Sequence, residues 1–212
     1  MNIALIGASG FIGAALLNEA LARGHQVTAL VTRPQRLGAA ANLTALQSDI
    51  RDTATLVQQL AGHDAVISAF SGHGQTDVQR YYEQGIDSLI RAVKQARLSR
   101  LLLVGGAGSL EVAPGVALLD TPAFPAEYRA TAEGARTALT RLRAEPALNW
   151  TMLSPAAVIA PGERTGHFRL GGDQLLLDAA GDSRISVADY AVAMLDELER
   201  PVHPRQRFTV AY

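Results

Sequence analysis

The sequence predicts an α/β domain built on a doubly wound parallel sheet with helices on both faces. Two observations lead to this fold class. Short apolar runs alternate along the chain with amphipathic segments of helical spacing, which is typical of strands joined by crossover helices. Several of the runs are almost continuously apolar, as expected for strands buried on both faces. A length of 212 residues is enough for one domain with a sizeable core.

The apolar runs and amphipathic segments define the predicted elements. The strands are predicted at 3–6, 27–31, 45–47, 65–68, 101–104, 150–153 and 208–210. The helices are predicted at about 12–23, 53–60, 77–96, 126–143 and 187–198. Asp52 and Ser186 are expected as N-caps, because short polar side chains accept hydrogen bonds from first-turn amides. Gly24 is expected to end the first helix.

Two irregular stretches interrupt this alternation. Residues from about 105 to 128 are rich in Gly, Ala and Pro, and residues 155–183 follow neither period. Both stretches come after predicted strands, and ligands of doubly wound sheets bind at the carboxyl ends of strands. We therefore expect one domain, 1–212, with a small C-terminal substrate-side lobe formed by these stretches.

Composition excludes several classes of function. The chain has no cysteine, so disulfides, thiolate metal sites and cysteine nucleophiles are excluded. Its five histidines are scattered without metal-ligand spacing, and no metal site is expected. A formal net charge of −1 provides no field for nucleic acid or an anionic membrane. Without a signal-peptide pattern or an apolar run of about 20 residues, the expected location is cytoplasmic.

Residues 7–13, GASGFIG, follow the first predicted strand and open the first predicted helix. In this context Gly7 permits a tight turn, Gly10 lets a pyrophosphate approach the backbone, and Gly13 lets the helix pack close to the strand. The first amide groups and the helix dipole attract phosphate. The motif therefore predicts a Rossmann-type sheet that binds NAD(P), the alternative being a turn whose glycines serve packing alone. The other predicted contacts in this turn are Ser9, Phe11 and Ile12.

The end of the second predicted strand favours NADP over NAD. An NAD enzyme usually carries Asp or Glu there for the ribose hydroxyls, whereas this chain has Arg33 and Arg36. Two guanidinium groups could bind a 2′-phosphate through charge-assisted hydrogen bonds. The alternative is a pair of solvated loop charges, with NAD as the cofactor.

Other strand ends supply further candidate cofactor contacts. Asp49 follows the third strand and either accepts a hydrogen bond from the adenine amino group or caps the turn before Asp52. Phe70 follows the fourth strand and either flanks the cofactor or is a buried aromatic residue. The remaining candidates are Ile50, Ala69, Ser71, Ser154, Pro155 and Ala156.

Several segments together resemble a known family over the whole chain. GASGFIG, VTR, DIRD, NWTMLSPAA and RFTVAY resemble the atypical short-chain dehydrogenase/reductases. PGERTGHFRLGGD and ISVADYAVAMLDELE are similar to the NAD(P)H-binding group of that superfamily, whose members are provisionally termed NADH–flavin reductases. This group is related to biliverdin/flavin reductase and to the NmrA-like proteins. The resemblance implies an NAD(P)H-dependent oxidoreductase.

The chain departs from the superfamily in its proton-donating pair. The superfamily uses Tyr-x-x-x-Lys, whereas here Tyr128 is followed four positions later by Ala132. Ser109 is a second candidate catalytic hydroxyl, beyond the usual serine position. Reduction of a ketone needs an acid in the transition state, whereas a flavin or quinone ring delocalises the charge left by hydride addition. A flat acceptor of flavin or quinone type is therefore expected.

The acceptor is expected over the nicotinamide, between the two irregular stretches. Arg164 could bind a phosphate or carboxylate of the acceptor. The predicted walls are Phe124, Tyr128, His167 and Phe168.

Two other functions stay open. One is a non-catalytic, NmrA-like regulator that senses NADP and acts through a partner protein. The other is a sugar-nucleotide epimerase or dehydratase-like enzyme, which shares the glycine spacing but usually needs the Tyr/Lys pair and a larger substrate domain. The helices after the fourth and fifth strands could form a homodimer face.

Overall fold

The computed structural model describes residues 1–73 and 75–212, and its centre is an eight-stranded sheet. The strands are β1 (Asn2–Ile6), β2 (Gln26–Val31), β3 (Leu43–Gln47), β4 (Ala65–Ser68), β5 (Leu101–Val104), β6 (Glu111–Ala113), β7 (Val116–Ala117), β8 (Trp150–Ser154), β9 (Val158–Ala160), β10 (Arg169–Gly171), β11 (Arg184–Ser186) and β12 (Gln206–Ala211). The α-helices are α1 (Phe11–Ala22), α2 (Thr53–Leu60), α3 (Val78–Gln95), α4 (Ala126–Arg143) and α5 (Val187–Glu199).

The strand order in the main sheet is β10-β12-β8-β5-β4-β1-β2-β3. All neighbours pair in parallel except β10, which is antiparallel to β12 at one edge. The order reverses at β1, because the chain moves outward to β3 and then returns to β4 on the other side. Ligands bind at such a reversal, outside the carboxyl ends of the strands. The predicted doubly wound Rossmann-type fold is confirmed.

The predicted helix boundaries follow from local chemistry. The side chain of Asp52 accepts a hydrogen bond from the amide of Thr55 and caps α2. The hydroxyl of Ser186 accepts from the amide of Asp189, at 2.9 Å, and caps α5. Gly24 has a φ of 79°, the left-handed conformation that favours glycine after a helix. All three predicted boundary residues are confirmed.

Two apolar layers cover the faces of the sheet. One layer packs beneath α1 and α5, and the other beneath α2, α3 and α4. Strand β8 contributes to both, because alternate side chains point to opposite faces. Trp150 and Met152 lie in the layer under α3 and α4, whereas Leu153 lies in the layer under α5. No helix within residues 1–73 and 75–212 has the length and apolarity to cross a membrane.

The two stretches expected to be irregular contain short strands. Strands β6 and β7 form an antiparallel hairpin, β9 pairs with β11 in a separate two-stranded sheet, and β10 lies on the edge of the main sheet. These strands are too short for an alternation of apolar and polar residues to be visible in the sequence. Strands β9 and β10 depend on partners that are distant along the chain, whereas β6 and β7 pair with each other across a tight connection. The stretches that the sequence left irregular therefore contain short strands.

Gly85 of α3 provides the space for an aromatic side chain from the end of β4. A Cβ at this position would lie 2.3 Å from Cε1 of Phe70, whose ring stacks on Tyr82 at a centroid distance of 5.6 Å. We expect Gly85→Ala to destabilise the protein by about 2 kcal/mol, although alanine is the better helix former. The melting temperature should fall by roughly 4–8 °C, measured by thermal unfolding. Gly172→Ala is the matched control, since its Cβ would meet no atom within 4 Å; equal melting temperatures for the two variants would contradict this packing.

Candidate cofactor site

The glycines of residues 7–13 have different structural roles. Gly7 has a φ of 79°, and a Cβ there would lie 2.7 Å from the carbonyl oxygen of Ala69. A Cβ on Gly13 would lie 2.0 Å from the carbonyl oxygen of Gly7. At Gly10 the only close contact would be at 3.4 Å, an ordinary van der Waals distance. The fold therefore requires Gly7 and Gly13, whereas the absence of a side chain at Gly10 leaves space above the turn.

The start of α1 is suited to bind an anion. Its N-cap is Gly10, which has no side chain to bond the first amide groups. The first turn of α1 contains no acidic residue that would compete for those amides. First-turn amides lack intrahelical acceptors, and the helix dipole adds partial positive charge. The turn can therefore receive a pyrophosphate, as the glycine motif predicts.

The turn is hydrogen-bonded to both neighbours of β1. The amide of Gly7 donates to the carbonyl of Leu30 in β2, at 3.0 Å. The amide of Ala69, just after β4, donates to the carbonyl of Ile6 in β1, at 2.9 Å. The ends of β1, β2 and β4 therefore meet at the reversal of strand order, and residues 69–71 lie beside the phosphate turn.

Two arginines lie at the end of β2, next to the turn. Arg33 and Arg36 are both exposed, and neither forms an ion pair with any residue that the structure describes. Arg36 and Ser9 line one cleft of about 430 Å³ between α1 and the segment that follows β2. Their charges are thus not neutralised by neighbouring carboxylates, as those of Arg23 and Arg51 are.

Asp49 has the geometry of a capping residue. Its carboxylate accepts a hydrogen bond from the amide of Arg51 at 2.9 Å and another from the Arg51 guanidinium at 3.0 Å. The guanidinium hydrogen bond, opposed by partial desolvation, lowers the pKa of Asp49. The amide of Asp52 donates to the Asp49 carbonyl at 3.0 Å. Of the two alternatives from the sequence, capping of the turn is the one that these contacts match.

The ring of Phe70 is half-buried and packs against α3. Its ring stacks on Tyr82 and is tilted against Tyr81 at a centroid distance of 5.5 Å, so it packs into the α3 layer. Its backbone lies at the turn, since a Cβ on Gly7 would lie 3.2 Å from the Phe70 amide nitrogen. The packing of the ring matches the second of the two alternatives from the sequence, and a contact of Phe70 with the cofactor stays a prediction.

Ser154 joins the ends of β5 and β8. Its hydroxyl is fully buried and has no hydrogen-bond partner among the described residues. A Cβ on Gly105 would lie 3.0 Å from this hydroxyl oxygen. Pro155 and Ala156 are also buried. Any contact of this segment with a cofactor therefore goes through backbone groups.

The position of the superfamily's lysine is occupied by another part of the chain. Ala132 of α4 is buried, and a Cβ on Gly108 would lie 2.7 Å from its Cβ. The turn Ala107–Ser109 therefore fills the space that a long side chain at position 132 would need. Tyr128 lies one turn earlier and is 57% exposed. The absence of the Tyr/Lys pair is thus built into the packing of α4.

Ser109 lies where the two substrate-side stretches meet. Its hydroxyl accepts a hydrogen bond from Arg207 of β12 at 3.3 Å. Nε of Arg207 donates to the carboxylate of Asp173 at 2.6 Å, and the Asp173 carbonyl accepts from the amide of Glu111 at 2.8 Å. Burial lowers the pKa of Arg207, and the pairing with Asp173 opposes this shift.

Sequence reasoning missed Arg207 and Asp173. The available signal was a charged residue inside the apolar run RFTVAY, since a buried arginine needs a carboxylate partner. The pair connects residues 105–128 to residues 155–183, so the predicted lobe is one connected structure.

Arg164 does not lie where the sequence suggested. Its guanidinium donates to both carboxylate oxygens of Glu19 in α1, each at 2.8 Å. This two-pronged ion pair commits Arg164 to a structural contact outside the strand ends. The prediction that it binds the acceptor is corrected, because hydrophobic periodicity gives no indication of ion-pair partners 145 residues apart.

The other predicted wall residues have separate surroundings. Phe124 is half-buried and has the Arg129 guanidinium over its ring at 5.8 Å. Phe168 is half-buried against the layer under α1 and α5, whereas His167 is exposed. The structure thus brings together residues 7–13, the end of β4, Gly105 and Ser154, and the wall residues remain predictions.

Comparison with known proteins identifies the family. A family model described as NAD(P)H-binding matches residues 7–198. The chain belongs to the NAD(P)H-binding family. This membership agrees with the resemblance seen in the sequence and with the geometry of the phosphate turn.

Proteins from several bacteria are similar to this chain. The uncharacterised protein YwnB of Bacillus subtilis is 43% identical, over 99% of this chain and 98% of that protein. A Streptococcus pneumoniae structure, provisionally named an NADH–flavin reductase, is 36% identical over 100% of this chain and 99% of that chain, with a TM-score of 0.89. A Bacteroides thetaiotaomicron structure, provisionally named an epimerase, is 42% identical over 100% of this chain and 96% of that chain, with a TM-score of 0.93.

Proposed function

We propose that this NAD(P)H-binding protein is a reductase that transfers a hydride from NADPH to a flat conjugated acceptor of flavin or quinone type. The observation that carries the proposal is the packing of Gly108 on Ala132. Because of this packing, the position of the superfamily's catalytic lysine, next to the dinucleotide site, has no lysine side chain. An acceptor whose ring delocalises the added charge can take its proton from solvent after the hydride transfer. Reduction of a ketone instead needs a proton donor in the transition state.

In this reaction the bound NADPH supplies the hydride, and the protein supplies position. Residues 7–13 bind the pyrophosphate through amide groups, and Arg33 and Arg36 bind the 2′-phosphate. The two stretches of the lobe, joined through Arg207 and Asp173, would cover the strand ends and exclude water from the hydride path. Holding donor and acceptor rings in contact is then the main catalytic contribution of the chain.

Steady-state oxidation of NADPH tests the proposal. We expect turnover with FMN, riboflavin or a small quinone, and none with aliphatic ketones at equal concentration. The same assay with Gly10→Ala, which should bind NADPH much more weakly, shows whether the oxidation occurs at this site. Tight NADPH binding without turnover of any flat acceptor would contradict the proposal and would favour a sensor of NADP acting through a partner.

An epimerase acting on sugar nucleotides is the second candidate. It is favoured by the 42% identical Bacteroides structure, which is provisionally named an epimerase. The packing at Ala132 disfavours an epimerase, because the proton-donating Tyr/Lys pair that such an enzyme usually needs is absent. Incubation with NAD and a uridine diphosphate sugar, followed by product analysis, distinguishes the two: an epimerised sugar supports the second candidate.

A further inference from the structure

A buried carboxylate on α5 has no role in the proposed reaction. Asp189 is 0% exposed. Its oxygens accept hydrogen bonds from the amide of Thr165 at 2.9 Å, the hydroxyl of Thr165 at 2.6 Å, the amide of Gly166 at 2.8 Å and the hydroxyl of Tyr212 at 2.8 Å. Burial tends to raise the pKa of Asp189, but these hydrogen bonds outweigh it, so the pKa is lowered. The carboxylate is therefore charged and fully satisfied.

This carboxylate is not needed to cap its own helix. Ser186 caps α5 by accepting from the Asp189 amide. The amide of Ser186, which a capping-box carboxylate would bind, donates instead to the hydroxyl of Tyr212 at 3.2 Å. The Asp189 side chain thus serves the segment 164–168, which has no regular secondary structure.

The segment 164–168 is fixed at both of its ends. Arg164 is paired with Glu19 of α1, the helix that begins at the phosphate turn. At the other end, the guanidinium of Arg169 donates to the carbonyl of Tyr212 at 3.1 Å, and the Tyr212 amide donates to the Arg184 carbonyl at 3.0 Å. Asp189 binds Thr165 and Tyr212 together, and so it connects the two fixed ends.

We propose that Asp189 is a positioning residue for the acceptor site. It holds the segment 164–168 beside Tyr212, which follows β12 at the carboxyl ends of the parallel strands, so that the exposed His167 forms part of one wall of the acceptor cleft. Phe168 packs partly on the layer under α1 and α5 and anchors the segment. This inference rests on the proposed reductase function. Since the phosphate turn and the end of β2 make no hydrogen bond to Asp189, the residue acts on the acceptor and leaves cofactor binding unchanged.

Kinetics of Asp189→Asn with FMN as acceptor test this role. The amide keeps the size of the side chain and can keep its oxygen toward the Thr165 and Gly166 amides. Its NH2 group then replaces the charged oxygen that accepts from the hydroxyls of Thr165 and Tyr212. We expect the KM for FMN to rise about tenfold, since hydrogen bonds to a charged group are lost, with the dissociation constant of NADPH unchanged. Trypsin should cleave after Arg164 or Arg169 faster than in the wild type. Asp196→Asn is the control on the same helix, because that carboxylate pairs with Arg23.

Each outcome of this experiment either supports or overturns the positioning role of Asp189. An unchanged KM for FMN in folded Asp189→Asn overturns the inference, as does an equal loss of NADPH affinity, which would indicate a general loss of stability. If Asp189→Asn does not fold, Thr165→Val and Tyr212→Phe each remove one hydroxyl that donates to Asp189 and should raise the KM in the same direction. Absence of turnover with FMN, riboflavin and a small quinone in the wild-type protein is the failure of the proposed function itself. If the wild type reduces another of these acceptors but not FMN, the same variants are compared with that acceptor.

Discussion

Gly10→Ala is expected to abolish most NADPH binding in a protein that stays folded. Its Cβ would make only an ordinary contact within the chain, at 3.4 Å, and the backbone has a φ of −82°, which any residue adopts. The methyl group would, however, occupy the space in which the pyrophosphate meets the first amides of α1. We expect the dissociation constant of NADPH to rise about 100-fold, corresponding to roughly 3 kcal/mol, in a fluorescence titration.

Gly13→Ala is the contrasting variant in the same turn. Its Cβ would lie 2.0 Å from the carbonyl oxygen of Gly7, so α1 has to move away from β1. We expect a loss of about 3 kcal/mol of stability and a melting temperature lower by roughly 6–12 °C. Gly10→Ala should melt within about 2 °C of the wild type. NADPH binding by Gly10→Ala with wild-type affinity would show that the space above Gly10 is not a phosphate site.

The double variant Arg33→Ala/Arg36→Ala is expected to lose the preference for NADPH. Both guanidinium groups are exposed and without ion-pair partners among the described residues, so their removal leaves no carboxylate unpaired. A charge-assisted hydrogen bond contributes about 1.5–3 kcal/mol, which predicts a 10- to 100-fold weaker NADPH affinity. NADH affinity should change less than about twofold, because NADH has no 2′-phosphate.

The control for this pair is Arg51→Ala. Arg51 is a nearby exposed arginine whose charge is neutralised by Asp49, so its removal should not distinguish the two cofactors. Dissociation constants for NADPH and NADH are measured for all three proteins at one salt concentration, since such contacts are screened by ions. A double variant that binds NADPH and NADH in the wild-type ratio would assign the cofactor preference to other residues.

Much of the fold was predictable because its signals are local. Strands buried on both faces need continuous apolar runs, as at 3–6 and 101–104, and a cap needs a short polar side chain at a helix start, as at Asp52. The phosphate turn is equally local, since residues 7–13 alone specify a tight turn, a close approach and a helix start. The short strands β9 and β10 were not predictable in this way, because their pairing partners are distant in sequence, and the hairpin β6–β7 was not, because it is too short to show a period.

The same difference between local signals and long-range contacts applies to the candidate site. The proposed pyrophosphate contacts come from one continuous motif, and the proposed roles of Arg33 and Arg36 come from their place after a strand, so both proposals could be made from the sequence. The positions of Arg164, Phe70 and Asp189 were not predictable, because each depends on a partner brought near only by folding. Arg164 pairs with Glu19, Phe70 fills the space over Gly85, and Asp189 binds Thr165 and Gly166.

The sequence alone thus determined that this chain is a dinucleotide-binding Rossmann-type domain, and where its phosphate turn lies. The absence of the lysine was visible in the sequence as Ala132, but the structural reason for that absence was not. Only the tertiary structure showed that the backbone of Gly108 occupies the space of a lysine side chain. A sequence motif specifies backbone conformation over a few residues, whereas the shape and charge of a cleft depend on side chains packed from distant segments.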